Sequence, residues 1–207
     1  MTDQQFTDPA ERGPEIDDCP TVDACARVLA DAFAREPAVS CVGGGSSAAR
    51  ENWFAATLRA DATLPGSRRY ALTGDGSRPI AVAILTPPGA ALSAAAQAQW
   101  GPYARALWDP GRATDPALSA DHRSRCARGA WMLESIGGDP GAMGRDAGRR
   151  LLDRLLADAS ATAGVFRTTA DPGNVAFYQH FGFVTLRHLS VGPLNVATML
   201  RRRTSNP

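Results

Sequence analysis

Gly137-Gly138-Asp139-Pro140-Gly141, followed at once by Ala142 and then Met143-Gly144-Arg145-Asp146-Ala147-Gly148, is the stretch whose residue types most directly suggest chemistry. It joins an apolar run that reads as a strand, Trp131–Ile136, to an amphipathic run that reads as a helix, Arg145–Ser160. Such a loop presents backbone N–H groups at a helix N-terminus, where the helix dipole also favours negative charge, so its natural guest is an anion such as a phosphate. Glycine suits the place because a backbone without Cβ can approach a phosphate closely. A plain strand-to-helix turn has the same appearance, and the loop alone does not separate the two. A second glycine cluster, Gly43-Gly44-Gly45, has no strong strand before it and reads as a flexible connection.

Composition removes several alternatives. The 22 basic residues are all arginine, which excludes a Schiff-base lysine and a Walker-type phosphate loop, since both need an amine. With 21 acidic residues against them, no overall attraction to nucleic acid or to an anionic membrane is expected. Cys19, Cys25, Cys41 and Cys126 form no CxxC pair, and His122, His180 and His188 are scattered, so neither a metal site nor a disulfide framework is expected. Reduced, mostly buried thiols in a cytoplasmic protein are the simplest reading. The first fifteen residues carry no apolar run, and nowhere do eighteen apolar residues follow one another. Residues 1–14 read as a flexible tail and 15–203 as one soluble domain.

The elements that must position the loop follow from periodicity. Val22, Cys25, Ala26, Leu29 and Phe33 recur at helical spacing until Pro37, and a second helix is expected from about Ala48 to Thr63 with Trp53, Phe54, Thr57 and Leu58 on one face. Glu15–Cys19 reads as a short edge strand. Arg69–Thr73 and Pro79–Thr86 are the arms of a hairpin turned by Gly74-Asp75-Gly76-Ser77, and the second arm is apolar on both faces, as a central strand would be. Residues 90–108 read as a helix broken near Gly101-Pro102, with a loop after it to about Asp121. This insertion would form either a wall over a pocket or plain scaffold. Its Trp100, Tyr103 and Trp108, with Trp53, would line an aromatic acceptor pocket or simply pack in the core. Past the Gly-rich loop, Gly148, Leu151, Leu152, Leu155, Leu156 and Ala159 form one helical stripe. A strand over Val165–Thr169, a turn at Asp171-Pro172-Gly173, a helix over Asn174–Phe181 capped by Asn174, and strands at Val184–Leu189 and Val196–Leu200 complete the chain.

Two blocks in this order resemble a known family. Asn174-Val-Ala-Phe-Tyr178-Gln-His-Phe-Gly182-Phe183 is similar to the NxxFYxxxGF segment of the GNAT acyltransferases, and Trp131-Met-Leu through Gly138-Asp139-Pro140 resembles their WYL…VDP stretch. The resemblance implies an α/β (α+β) fold with a mixed, mostly antiparallel central sheet flanked by helices. It places the acyl-CoA-binding half at about residues 130–201. It also implies transfer of an acyl group, usually acetyl, from coenzyme A to an amine, here that of a small molecule. Two neighbouring strands would splay to admit the pantetheine. Ile136, Gly137, Gly138, Met143, Gly144, Arg145, Asp146, Ala147, Gly148 and Asn174 would hold the cofactor. A backbone N–H near Ile136 would polarise the thioester carbonyl. Tyr178 would protonate the departing thiolate, a role that suits a phenol whose pKa is ~10 against a thiol near ~8.5, although an aromatic patch with Phe177 and Phe181 is the other reading. Glu134, the one acid in its strand and expected on the side of Met132 and Ile136, would take the amine's proton directly or through water, or else hold a backbone group or an arginine. Homodimers through a sheet edge are common in proteins of this kind.

One departure bears on function. The family's phosphate loop follows (Q/R)xxGx(G/A), whereas this chain has Met143 at the first position and Asp146 in place of the central glycine. A carboxylate ~5 Å from a phosphate is opposed by about 1–3 kcal/mol at an effective dielectric of roughly 20–60. That corresponds to as much as about two orders of magnitude in affinity. Either Asp146 turns outward toward Arg145, Arg149 or Arg150, or the fold serves a different reaction or only binds a ligand in the cleft.

Overall fold

A computed structural model describes residues 15–17, 20–39, 46–74, 78–90, 93–95, 98, 129–142, 146–159, 164–191 and 194–202. The expected tail, the glycine loop at 43–45, the hairpin turn at 75–77, Trp100, Tyr103, Trp108 and the loop that follows lie outside the described residues. The elements are β1 (Glu15–Asp17), α1 (Val22–Ala32), α2 (Ser47–Asp61), β2 (Arg68–Thr73), β3 (Pro79–Thr86), β4 (Trp131–Gly138), α3 (Ala147–Asp158), β5 (Gly164–Thr169), α4 (Pro172–His180), β6 (Val184–Val191) and β7 (Leu194–Arg202). No helix among the described residues is long and apolar enough to cross a membrane.

All strands join one sheet in the order β1-β2-β3-β4-β5-β7-β6, antiparallel at every pair except β4–β5. Strand alternation divides the core. Tyr70 and Leu72 of β2, and Ala81, Ala83 and Leu85 of β3, face the leucines of α3, whereas Ala71, Val82 and Ile84 face α1 and α2. Both sides of β3 are covered, which explains its unbroken apolar run. Trp53 packs against the α1–α2 layer, edge-on to Phe54 at 4.7 Å. Helix α2 starts where Ser46 accepts a bond from the Ala49 N–H.

Four expectations need correction. β4 does not stop at Ile136, because Gly137 and Gly138 pair with Val82 and Ala81, so these glycines belong to the ladder rather than to the loop. α1 ends at Ala32 in a turn, short of Pro37. α4 begins at Pro172 and is capped by Asp171, whose carboxylate accepts from the Gly173 N–H at 2.9 Å; Asn174 is already inside the helix. Proline at the first helical position loses nothing, since its missing N–H would have had no partner. Finally, the register of β3 against β4 shifts between Ile84↔Ser135 and Leu85↔Leu133, leaving Glu134 as an extra residue. This bulge breaks the alternation: Leu133 and Ile136 pack into one cluster, while Met132 joins Phe166 and Leu200 in another, so Met132 and Ile136 do not share a side.

Candidate active site

The parallel pairing of β4 with β5 consists of Trp131↔Val165 and Met132↔Phe166 and then stops. Each strand nevertheless continues on its other edge, β4 against β3 as far as Gly138 and β5 against β7 as far as Thr169. The two strands therefore part in the middle of the sheet. At their diverging ends lies a cavity of about 550 Å³.

This cavity gathers residues from several elements, chiefly β4, α3 and α4. Ile136, Gly137 and Gly138 come from β4; Asp146, Ala147, Gly148 and Arg149 from the start of α3; Asn174, Phe177 and Tyr178 from α4. Met143, Gly144 and Arg145 lie outside the described residues. Phe33, Arg35 and Glu36, just after α1, form a further wall that periodicity gave no reason to expect. Gly137 explains how that wall comes so close: a Cβ there would stand 2.7 Å from Ala32 Cβ and 3.0 Å from the Phe33 ring. Burial raises the Glu36 carboxyl above its ordinary range, against the lowering effect of backbone N–H groups and of Arg167.

Asp146 occupies the left-handed region, φ 51°, and its side chain makes no capping hydrogen bond. The first-turn N–H groups are thus not claimed by this side chain, and Asp146, Ala147, Gly148 and Arg149 line the cavity at the end of the helix where the dipole is positive. A left-handed backbone is also the reason a glycine would suit this position. Asp146 holds the same conformation with an exposed carboxylate.

Tyr178 is 2% exposed, packed edge-on to Phe177 at 5.4 Å and tilted against Phe183 at 5.4 Å. Its helix is held at the far end by Arg201, whose Nε donates to the Phe181 carbonyl at 2.9 Å. Behind the ring stands Arg167 of β5, its guanidinium 5.6 Å from the ring centre. This buried cation was not singled out from the sequence, although an arginine inside the apolar run Gly164–Thr169 was a visible irregularity.

Glu134 does not line the cavity. It sits at the bulge, where the Thr86 hydroxyl donates to its carboxylate at 2.7 Å. Nearby, Asp61 at the end of α2 is 7% exposed, and its carboxyl is pushed up to about 8 by burial and then by the Glu134 charge, with Arg69 opposing. Among the described residues no cluster of His, Cys, Asp or Glu is arranged to hold a metal ion.

No family model matches the chain, and no curated protein does. Solved structures do. A histone acetyltransferase HPA2 and related acetyltransferase from Corynebacterium glutamicum superposes with a TM-score of 0.67 at 16% identity, over 94% of this chain and 99% of that one. A putative acetyltransferase of the GNAT family from Desulfovibrio desulfuricans gives 0.57 at 14% identity, over 93% and 100%. The ribosomal-protein-S18-alanine N-acetyltransferase of Escherichia coli gives 0.56 at 14%, over 94% and 96%. At these identities the likeness is one of fold, and the chain has the fold of the GNAT acetyltransferases.

Proposed function

We propose that this chain is an acyl-CoA-dependent N-acyltransferase that moves an acyl group, acetyl in the simplest case, to the amine of a small molecule. The observation that carries the reading is the parting of β4 from β5 beside an α3 N-terminus that no Asp146 side-chain bond caps, with Tyr178 at the same cavity. A donor with a long neutral arm and a pyrophosphate fits that shape. The arm would lie along the free edge of β4, and the diphosphate would meet the first-turn N–H groups of α3 with Arg149 beside them.

In the transfer, the amine nitrogen forms a bond to the thioester carbon and the carbon–sulfur bond breaks. The Tyr178 phenol gives its proton to the departing sulfur. Backbone N–H groups on β4 near Ile136 stabilise the negative charge that develops on the carbonyl oxygen. The amine's surplus proton leaves through Glu134, which reaches it by way of water because the carboxylate stands at the bulge and not on the cavity wall.

Calorimetric titration with acetyl-CoA tests the reading. Binding in the micromolar range is expected, and no heat at hundreds of micromolar would sink it. One observation favours a second reading, in which the fold hosts another reaction or only binds a ligand: the exposed Asp146 carboxylate at the edge of the phosphate position. Absence of acetyl-CoA binding that is restored in Asp146→Gly would support that reading.

A further inference from the structure

We infer that Arg167 is the positioning residue of the cleft: its guanidinium replaces the missing rungs between β4 and β5 and backs the Tyr178 ring. The part played by Tyr178 rests on the acyl-CoA reading above, whereas the wedge itself does not.

In a regular strand successive carbonyls point to opposite edges, so only one of the Leu133 and Glu134 carbonyls would ordinarily face β5. With the bulge at Glu134 both turn to the same donor, beyond the last rung at Met132↔Phe166. A buried carbonyl left without a donor is destabilising, so a splay inside a sheet needs some other donor. Arg167 supplies it. Its Nη1 donates to Leu133 O at 3.0 Å and to Glu134 O at 2.5 Å, so a single nitrogen serves both. A side chain thus spans the gap that a backbone rung would have closed. The strands part while these two carbonyls keep a donor.

The same group acts on Tyr178. The guanidinium is 5.6 Å from the ring centre, within reach of the attraction between a cation and an aromatic face. Arg167 is 7% exposed, so little water weakens that attraction. Its Nε is buried with no hydrogen-bond partner among the described residues. A charged group retained under those conditions does more than fill space, because an apolar residue of similar volume would fill it without the desolvation penalty. The planar group is doubly suited, since it bonds in its plane and stacks on its face. On the other side of the bulge the Glu134 side chain receives the Thr86 hydroxyl, so Arg167 and Thr86 together hold Glu134 by its carbonyl and its carboxylate.

The chain has three tyrosines, so growth with 3-fluorotyrosine yields a simple fluorine spectrum in which Tyr178→Phe identifies the resonance of interest. In Arg167→Met, with far-ultraviolet dichroism unchanged, the Tyr178 resonance is expected to shift or broaden while that of Tyr70 stays. Acetyl-CoA affinity, measured well below the melting temperature, is expected to fall about tenfold or more. A folded variant with the Tyr178 resonance and the affinity unchanged overturns the inference, since a merely stabilising arginine would move the melting temperature alone. If the wild-type chain gives no heat with acetyl-CoA, the functional reading fails and the fluorine shift alone decides the role of Arg167. Should Arg167→Met not fold, Arg167→Lys carries the same readouts. It keeps the charge and a donor but loses the planar face, and wild-type behaviour in it overturns the wedge.

Discussion

At the scale of single residues, the proposed function turns on Asp146 and Tyr178, both of which line the cavity. Asp146 holds a left-handed backbone, φ 51°, that a glycine would adopt without strain, and it lies at the N-terminal end of α3 on the cavity wall. Asp146→Gly is therefore expected to tighten acetyl-CoA binding by up to about two orders of magnitude, read by calorimetry. An unchanged or weaker affinity would show that the carboxylate points away from the phosphates. Tyr178→Phe keeps the packing with Phe177 and Phe183 but removes the transferable proton. Turnover should drop by roughly 10²–10⁴ while acetyl-CoA affinity holds, and a variant with full turnover would end the proposed acid role. Tyr178 stood out as a candidate because it sits in a spaced motif, and it lines the cavity. Arg167 was not, because nothing in its neighbourhood along the chain names Leu133 and Glu134 as its acceptors; they lie more than thirty residues away.

Among the elements, the contact of β4 with α1 carries a prediction of its own. At Gly137 the backbone lies so close to the end of α1 that a methyl group would meet Ala32 Cβ at 2.7 Å. Gly137→Ala should destabilise the fold by about 1–3 kcal/mol in urea titration, as the helix must shift. Equal stability would mean that α1 seats more loosely than its buried Cys25, Ala26 and Leu29 indicate. Most elements were readable from periodicity to within a few residues, since apolar spacing reports which face of a helix or strand meets the core. The ends of β4 and α4 were misjudged for a common reason. Glycine and proline signal turns, but Gly137 and Gly138 are held in the ladder by β3, and Pro172 is accommodated at the first position of a helix capped by Asp171.

The molecule as a whole should show a pH dependence set by Asp61. Its carboxyl, facing Glu134 from β4 and Arg69 from β2, is raised from an ordinary 3.8 to about 8. Between those values the folded state keeps a proton that the unfolded state has released. The contribution of this group to stability is thus complete below about pH 4, declines as pH rises through the window, and levels off above about pH 8. Asp61→Asn imitates the protonated acid. It should flatten this part of the profile and raise the melting temperature more at pH 8 than at pH 5, by an amount on the order of a few kcal/mol in stability. Equal effects at both values would show that Asp61 titrates as it does in the unfolded chain.

The sequence by itself determined the class of fold, the order of elements after Trp131, the apolar stripe of α3 and the Gly-rich entry to that helix. The elements and the stripe depend on neighbours a few positions apart, whereas the class of fold followed from the resemblance of two spaced blocks to the GNAT acyltransferases. Only the tertiary structure decided that β4 carries a bulge at Glu134, that β5 leaves it after two pairs, and that Arg167 spans the gap. Only the fold could bring the end of α1 to the cavity. Register, splay and the partner of a buried charge are set by groups distant along the chain, and local spacing holds no record of them.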